Sequence, residues 1–477
     1  MLSSDRVLQI FEEITRIPRE SGHEELIIAY LQNFASAHAL ECKTDEAGNV
    51  LIVKPASEGR HDVPAIVLQS HSDMVCEKNS DVEHDFSRDP IRYEFRDGWM
   101  IAPDTTLGAD CGIGIAAQLA VLESDLPTGR IECLFTVAEE TGLDGAKALK
   151  PGFITGKTLI NLDSEDEGEL FVGCAGGLDT TAIFNYSLDT AAEDDSFVSL
   201  RIFNGVGGHS GDDIDKGRAN AVQLLARFLY SVLGMGVRLV DIDGGNKRNA
   251  IARESRCTIA VPAGNLSVIK SDFEKFASDV KSEYAVAEPG LSFEIEDALK
   301  SEKVICPEDT ARVVTALFAA PHGVLAMSMD IKGLVETSTN LASVKMQEGG
   351  KIRIGTSQRS SITSARRMAG EKVKAAFELA GAEVTHESEY PGWQPNMKSR
   401  ILDESIRAYR ELFGVEPVVR AIHAGLECGL FLDIYPELDM ISFGPTLRGV
   451  HAPGERLELA SLEKFVKLLD KIITDFR

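Results

Sequence analysis

The fold of this chain is decided by residues 65–75, which read AIVLQSHSDMV. The apolar run at the start of this segment predicts a buried β-strand, and the run stops at His71 and Asp73. Successive side chains of a strand point to opposite faces, so residues two apart share a face. An imidazole and a carboxylate can therefore face one site at the carboxyl end of this strand, which predicts a metal centre there.

Other predicted strand ends carry further side chains that can ligate a metal. A second apolar strand is followed by Glu139 and Glu140, a third ends in Asp163, and His451 lies just beyond a fourth. In open α/β sheets, binding sites form outside the carboxyl ends of the strands, so these residues can meet. Asp110 joins them from a glycine-flanked turn at a helix start, where the backbone can approach an ion closely.

Each of these signals also has an ordinary structural interpretation. A single His-x-Asp is usually a satisfied polar pair, Glu-Glu is usually a solvated turn, and an Asp after an apolar strand is often a helix cap. Two imidazoles and several carboxylates that all follow strand ends favour the metal centre over these alternatives. Two other histidines, His322 and His423, are interpreted as structural rather than as metal ligands.

The donor atoms predict which metal is bound and how many ions there are. Imidazole and carboxylate ligands suit zinc better than calcium, with cobalt or manganese as substitutes. The candidates exceed what one ion needs, so we predict two divalent ions per chain, held by His71, Asp110, Glu140, Asp163 and His451. Three carboxylates leave one positive charge on two such ions, which a bridging hydroxide neutralises. Because a metal lowers the pKa of bound water to about 7, this site would generate a nucleophile near neutral pH.

Two carboxylates beside the ligands are the predicted catalytic residues. Asp73 is placed to orient His71 through a hydrogen bond. Glu139 is adjacent to a ligand yet is itself spare, so we expect it to act as the general base for the water molecule.

Composition excludes several classes of partner. The 477 residues include 75 acidic and 49 basic side chains, and the net charge of −26 argues against nucleic acid or an anionic membrane as a partner. No stretch approaches the roughly 18 apolar residues of a membrane helix, and the first residues lack the apolar core of a signal peptide. The eight scattered cysteines form no CxxC pair, which predicts free thiols in a reducing cytoplasm. Cys76 and Cys111 lie near the site and are interpreted as small apolar fillers.

The order of predicted elements indicates two domains. Strands alternate with helices over roughly the first 170 residues, which predicts an α/β layer fold. The character changes near residue 180, and α/β alternation returns before the last helix. We therefore predict a discontinuous catalytic domain, residues 1–182 and 389–477, around an inserted α+β domain, residues 183–388. Two similar passes of strands and helices within the insertion suggest an internal duplication.

Six motifs carry a resemblance to a known family. They are HSDMV at 71–75, LGADCG at 107–112, EETG at 139–142, NLDSE at 161–165, GGHSG at 207–211 and HAGLECG at 423–429. These motifs and their order resemble the cocatalytic zinc peptidases related to carboxypeptidase G and aminoacylase. Within these, the chain is most similar to the peptidase D-type, or aminoacyl-histidine, dipeptidases, and the similarity covers essentially the whole chain.

The resemblance implies a zinc-peptidase-like, three-layer catalytic domain with two metal ions and an inserted lid domain. Carried across by motif, His71 and Asp163 would hold one ion, and Glu140 and His451 the other. Asp110 would bridge the two ions.

The resemblance also implies substrate-binding residues in the inserted domain. His209 would polarise the scissile carbonyl, Asn249 and Arg359 would hold the substrate's C-terminal carboxylate, and Gly425 would offer backbone contacts. An arginine suits that carboxylate because its planar fork binds both oxygens. Ordinary polar surface is the alternative for Asn249 and Arg359.

The predicted activity is metal-dependent hydrolysis of unblocked dipeptides, extending to Xaa-His, by a cytoplasmic enzyme. One alternative is an N-acyl-amino-acid amidohydrolase, or deacylase, that uses the same two-metal site. Another is a catalytically inactive binding protein on the same fold. The sequence leaves open whether the chain forms a homodimer.

Overall fold

The computed structural model describes residues 1–477. It contains α-helices and two short 3₁₀ helices, Leu233–Met235 and Ala263–Asn265. The α-helices are α1 (Ser4–Ile14), α2 (Glu25–Ala37), α3 (Ala109–Glu123), α4 (Glu139–Gly142), α5 (Asp144–Ala148), α6 (Ala221–Val232), α7 (Leu266–Glu283), α8 (Pro307–Ala319), α9 (Thr363–Leu379), α10 (Arg400–Phe413), α11 (Glu427–Ile434) and α12 (Leu459–Asp475). None of these helices has the length and apolar character needed to cross a membrane.

The β-strands are likewise numbered in chain order. They are β1 (Glu41–Thr44), β2 (Val50–Lys54), β3 (Ile66–His71), β4 (Glu94–Arg96), β5 (Trp99–Ile101), β6 (Ile131–Thr136), β7 (Thr158–Asn161), β8 (Glu169–Cys174), β9 (Gly176–Asn185), β10 (Leu188–Thr190), β11 (Asp195–Phe203), β12 (Arg238–Gly245), β13 (Ser255–Pro262), β14 (Ser292–Asp297), β15 (Lys303–Ile305), β16 (Gly323–Met327), β17 (Val335–Gln347), β18 (Lys351–Ser360), β19 (Glu383–Tyr390), β20 (Val418–Ile422), β21 (Asp439–Ser442), β22 (Leu447–Arg448) and β23 (Arg456–Glu458).

The chain divides into two compact units. Unit 1 consists of Met1–Gly173, Trp393–Ala421 and Leu426–Arg477, and unit 2 consists of Cys174–Gly392 and Ile422–Gly425. The sequence placed the domain boundaries after residue 182 and before residue 389, and it did not predict the short return to unit 2 within the HAGLECG motif. The internal duplication of the inserted part stays a prediction.

Unit 1 is built around an eight-stranded sheet of order β1-β2-β6-β3-β7-β21-β8-β20. Its central strands β6, β3, β7 and β21 are parallel neighbours. Every residue of β3, β6 and β7 is buried, as expected for parallel strands that are covered on both faces. The carboxyl ends of these strands therefore meet at one edge of the sheet, where the predicted ligands follow them.

Helix α3 is the buried helix of unit 1. Thirteen of its fifteen residues are buried, which is typical of a helix that is apolar on all sides. The helix contains Gly112 and Gly114, whose missing side chains let neighbouring groups approach closely. A Cβ atom at Gly114 would lie 2.9 Å from Cβ of Ser70 on β3, so the helix can pack against the strand only with glycine there. This packing places the start of α3 beside the end of β3.

Unit 2 contains a nine-stranded sheet of order β14-β11-β13-β12-β17-β18-β9-β19, with β16 paired to β17. The neighbouring strands of this sheet run antiparallel to one another. Helices α6, α7, α8 and α9 contribute to a core with one face of this sheet, in which Phe228, Phe273 and Phe377 are fully buried. The alternation of buried and exposed residues along β11 reflects a sheet that is covered on one face.

The four apolar strands predicted before the candidate ligands correspond to β3, β6, β7 and β21. Residues 77–103 contain the hairpin β4–β5, which joins β22 and β23 in a four-stranded sheet. The sequence missed short or exposed strands, among them β1, β10, β15 and β16. These strands have three to five residues each, which is too short for an alternation of apolar and polar residues to be recognised.

Candidate metal centre

The first candidate ligand stands at the end of β3. His71 is the last residue of this strand and is 1% exposed, and Asp73 follows it fully buried. Between them, the backbone N–H and the hydroxyl of Ser72 each donate a hydrogen bond of 2.7 Å to the carbonyl of Thr136. Because Thr136 ends β6, these bonds fix the turn after β3 to the neighbouring strand.

Asp73 connects the imidazole to the next acidic loop. Its Oδ1 lies 3.3 Å from Nδ1 of His71, and its carboxylate accepts hydrogen bonds from the N–H groups of Glu139 and Glu140 at 3.1 and 3.2 Å. The hydroxyl of Ser21 donates a further bond of 2.6 Å. Burial alone would raise the pKa of Asp73, but these hydrogen bonds hold the pKa below its usual value. The carboxylate therefore stays ionised and can orient His71.

Glu139 and Glu140 begin α4, a single helical turn after β6. The residues on either side of this turn, Ala138 and Leu143, have left-handed backbone angles with φ of 50° and 61°. His451, which carries the last candidate ligand, has φ of 63°. A non-glycine residue in such a conformation costs on the order of 1–3 kcal/mol, and residues of this kind cluster at functional sites.

Asp110 lies between the two candidate imidazoles. Its Oδ1 is 2.9 Å from Nε2 of His71, and its Oδ2 is 3.1 Å from Nε2 of His451. Asp163 Oδ1 is 3.3 Å from the same nitrogen of His71, and Glu140 Oε1 is 2.9 Å from the same nitrogen of His451. Each imidazole thus faces one carboxylate of its own and shares Asp110 with the other imidazole.

The ligand atoms form groups compact enough to hold metal ions. One group joins Asp110, Glu140 and His451, and a second joins His71, Cys111 and Asp163, with ligand atoms within 4.8 Å of one another in each group. The nitrogen and carboxylate donors match the preferences of zinc, cobalt and manganese. Cys111, interpreted from the sequence as a filler, is buried as a filler would be, but its sulfur also belongs to the second group.

The electrostatics of the cluster favour cations. Burial lowers the pKa of His71, but the carboxylates of Asp163 and Asp110 outweigh this effect and raise it well above its ordinary value. Hydrogen bonds from its ring to the carboxylates of Asp110 and Glu140 raise the pKa of His451 to about 11. Both imidazoles therefore lie in a strongly negative potential, and divalent ions would replace the protons that this potential attracts.

Glu139 has the electrostatic environment of a proton acceptor. Burial raises the pKa of its carboxyl well above the ordinary value; His71 opposes the shift, and Asp163, Glu427 and Glu140 add to it. A carboxyl group whose pKa is raised is suited to take up and release a proton during a reaction.

Unit 2 contains a second polar cluster, around Arg359 on β18. This arginine is 7% exposed, and its guanidinium group lies 3.3 Å from the hydroxyls of Ser210 and Tyr390 and 3.5 Å from Nε2 of His209. None of these three partners is a carboxylate. Asp212 lies close enough to interact electrostatically with this arginine. A buried guanidinium whose direct partners carry no negative charge can bind a carboxylate through its N–H groups.

The other predicted substrate-binding residues of unit 2 lie near this cluster. The carbonyl of Asn249 accepts a hydrogen bond of 2.8 Å from the N–H of Ser210, and the residue itself is exposed. A Cβ atom at Gly425 would lie 3.1 Å from the ring of Tyr390, so glycine keeps the backbone next to this ring. His423 lies two residues before Gly425, and its Nε2 is 2.8 Å from the hydroxyl of Ser338.

Several buried residues that hold the site were missed at the sequence level. Glu427 is 1% exposed and accepts hydrogen bonds from Gln69 at 2.6 Å and Thr136 at 2.9 Å, which tie β3 to β6 beneath the ligands. Arg19 and Glu455 are 2% exposed and contact the turn before α3. In the sequence, the only sign of such a residue is a charged side chain among apolar residues or glycines. That sign does not show which residue it binds.

Comparison with known proteins decides the family. The sequence profile of peptidase family M20/M25/M40 matches residues 67–475. The chain belongs to this family. A cytosol non-specific dipeptidase of the same family, from Escherichia coli (strain K12), is 39% identical over 478 residues, which cover 99% of this chain and 98% of the relative.

Solved structures related to the M20/M25/M40 peptidases share the fold. The aminoacylhistidine dipeptidase of Vibrio alginolyticus is 38% identical and superimposes with a TM-score of 0.93 over 100% of this chain and 98% of its own. A tripeptidase from Staphylococcus aureus is 19% identical with a TM-score of 0.58, over 100% of this chain and 99% of its own, and shows likeness in fold alone. The resemblance and the fold class predicted from the motifs, an α/β catalytic domain with an inserted α+β domain, are confirmed.

Proposed function

We propose that this chain is a metallo-dipeptidase that hydrolyses the peptide bond of unblocked dipeptides, including Xaa-His. The observation that carries the proposal is the shared position of Asp110, with one oxygen 2.9 Å from His71 and the other 3.1 Å from His451. A carboxylate shared by two imidazoles, each with a carboxylate of its own, is the donor set of a two-metal site. The names of the E. coli and V. alginolyticus relatives support dipeptides as the substrate class.

In the proposed mechanism, His71 and Asp163 would hold one divalent ion, Glu140 and His451 would hold the other, and Asp110 would serve both. When bound, these ions, most simply zinc with cobalt or manganese as substitutes, acidify a water molecule and polarise the scissile carbonyl. Asp73 keeps the His71 ring in the orientation that ligation needs.

Glu139 moves the proton in this proposal. Its carboxylate takes a proton from the attacking water as the carbon–oxygen bond forms, and it gives that proton to the nitrogen as the carbon–nitrogen bond breaks. Burial, which raises the pKa of this carboxyl, supports the role because the group can hold a proton between the two steps. The products are two free amino acids.

We propose that the Arg359 cluster of unit 2 recognises the substrate. Arg359 and Asn249 would bind the C-terminal carboxylate, His209 would donate a hydrogen bond to the scissile carbonyl, and Gly425 would offer backbone contacts. The support for this assignment is the buried guanidinium of Arg359, whose direct partners Ser210, Tyr390 and His209 carry no negative charge.

The test is a substrate panel with metal-stripped protein reloaded with zinc, cobalt or manganese. We expect cleavage of free dipeptides and no cleavage of N-acetylated amino acids. The reverse pattern would establish the alternative, an N-acyl-amino-acid amidohydrolase with the same metal site. The name of the E. coli relative supports a cytoplasmic location, and sedimentation would decide between a monomer and a homodimer.

A pair of neighbouring glutamates provides the matched control for the mechanism. Glu139→Gln should lower kcat by about 10²- to 10⁴-fold, the usual contribution of a general base, and keep two metal ions per chain. Glu140→Gln should lose metal, which elemental analysis of the purified protein would measure. Turnover within threefold of wild type in Glu139→Gln would remove this residue from the mechanism.

A further inference from the structure

The turn that carries Asp110 is held by a buried carboxylate from a distant part of the chain. Glu455 Oε2 accepts hydrogen bonds from the N–H groups of Leu107 and Gly108 at 2.7 and 3.0 Å. Its Oε1 accepts from Ala109 at 2.8 Å and from Asp110 itself at 3.4 Å. One side chain thus gathers four successive backbone donors, and the last of them belongs to the residue shared by the two imidazoles.

A buried guanidinium holds the other side of the same turn. Arg19 Nη2 donates to the carbonyl of Gly108, and Nη1 donates to the carbonyls of Ser72 and Asp73 at 3.2 and 2.7 Å. A Cβ atom at Gly108 or at Gly112 would lie 2.6 Å from Nη2, so both glycines of the motif leave room for this group. Arg19 therefore joins the turn before α3 to the turn after β3.

These two charges are placed where they are costly to bury. Both residues are only 2% exposed, and an ion taken out of water is destabilising unless it is well hydrogen-bonded. Their hydrogen bonds go to the backbone of the ligand-bearing turns. Glu455 also lies four residues after His451, and the N–H of Gly454 between them donates to the carbonyl of Ala102 at 2.9 Å. Glu455 therefore connects the chain segment that carries Asp110 with the segment that carries His451.

We propose that Arg19 and Glu455 are positioning residues of the metal centre, which fix the Leu107–Asp110 turn so that the carboxylate of Asp110 points at both His71 and His451. The inference rests on the proposed function, because it assumes that these side chains hold metal ions. Hydrogen-bonded neighbours of metal ligands typically contribute 10- to 100-fold to metal affinity or activity.

The test uses the full chain and measures metal binding rather than turnover. Glu455→Gln removes the charge from the carboxylate with little change in shape, and Arg19→Lys keeps a buried positive charge but loses the fork that reaches Gly108. Zinc affinity is measured by competition with a chromophoric chelator, and the visible spectrum of the cobalt-loaded protein reports the geometry of the ligands. We expect zinc affinity to fall by about 10- to 100-fold and the cobalt spectrum to change in both variants.

Glu132→Gln is the matched control. Glu132 on β6 is also fully buried, and its carboxylate accepts hydrogen bonds from the N–H groups of Thr155 and Gly156 at 2.7 and 3.1 Å. It lies near the amino end of β6, whereas the candidate ligands follow the carboxyl ends of the strands. We expect this variant to lose thermal stability while it keeps the wild-type zinc affinity and cobalt spectrum.

The outcomes separate this inference from the proposed function. Wild-type zinc affinity and an unchanged cobalt spectrum in Arg19→Lys and Glu455→Gln would overturn the inference, even if both variants melt at lower temperature. Should Glu455→Gln fail to fold, Arg19→Lys decides alone, because it retains the buried charge. A wild-type chain that binds no divalent ion would instead overturn the proposed function.

Discussion

Replacing Gly108 with alanine tests the packing of the turn that carries Asp110. The backbone of Gly108 has φ of 71°, and a Cβ atom there would lie 2.6 Å from Nη2 of Arg19 and 2.8 Å from Sδ of Met74. A left-handed alanine costs about 1–2 kcal/mol. Overpacking of a filled interior adds about 1–3 kcal/mol. Gly108→Ala should therefore lower the free energy of unfolding by about 2–5 kcal/mol.

Gly22→Ala separates the two contributions. Gly22 belongs to the same unit and has φ of 83°, but no atom lies within 4 Å of the position of its Cβ. This variant should lose only the backbone contribution, about 1–2 kcal/mol. Trp99 and Trp393, the two tryptophans of the chain, both lie in unit 1. Their fluorescence during urea unfolding of the metal-free protein therefore reports on the unit that carries both glycines. Equal losses in the two variants would refute the argument that Arg19 and Met74 fill the space beside Gly108.

Three further predictions concern the substrate cluster, pH and metal. Arg359→Ala should raise KM for free dipeptides by about 10- to 100-fold, as expected for the loss of a hydrogen bond between charged groups. The control variant Arg353→Ala, on the same strand, should leave KM unchanged in the same steady-state assay. Burial and the charge of Arg359 lower the pKa of His423 to about 3, so the folded chain keeps this ring neutral while the unfolded chain takes up a proton below about pH 6.5. The contribution of His423 to stability is therefore complete above pH 6.5 and is lost as the pH falls towards 3. Between about pH 7 and pH 4.5, the free energy of unfolding of His423→Gln, measured in urea, should fall by about 2–3 kcal/mol less than that of wild type. The control variant His61→Gln, at an exposed site, should match wild type. Removal of metal by a chelator should abolish hydrolysis and lower the melting temperature. Zinc added at about 100 times its dissociation constant should restore activity and about 2.7 kcal/mol of stability. A chelated protein that still hydrolyses dipeptides would contradict the metal requirement.

Most of the candidate ligands could be predicted because they follow apolar strands, a pattern that is visible within a few consecutive residues. The side chains of His71 and Asp163 follow apolar runs that can only be buried strands, and parallel strands end at one edge of a sheet. The distances from Asp110 to His71 and to His451 agree with this reasoning, although their roles as ligands stay predictions. Most of the longer helices were likewise predictable from the spacing of their apolar residues, whereas the long strands β9, β12 and β19 were missed.

The supporting residues could not be predicted, because their partners are far away in the chain. Glu455 is separated from Leu107 by 348 positions and Gln69 from Glu427 by 358, and nothing in a single sequence pairs such residues. Arg19 lies in a helix-to-loop segment that looks like ordinary charged surface, yet it is 2% exposed. The return of the chain to unit 2 at Ile422–Gly425 could not be predicted either, because a segment of four residues is too short to show a periodicity.

The split of unit 1 around unit 2 has a consequence for biosynthesis. A ribosome must complete all of unit 2 before it makes β21, which lies beside β7 in the sheet, and His451, which completes the proposed ligand set. Until then the nascent chain presents β7 with one edge unpaired, a surface prone to wrong association. The growing polypeptide is therefore expected to need protection from aggregation, and under the proposed function it gains activity only after translation has passed His451.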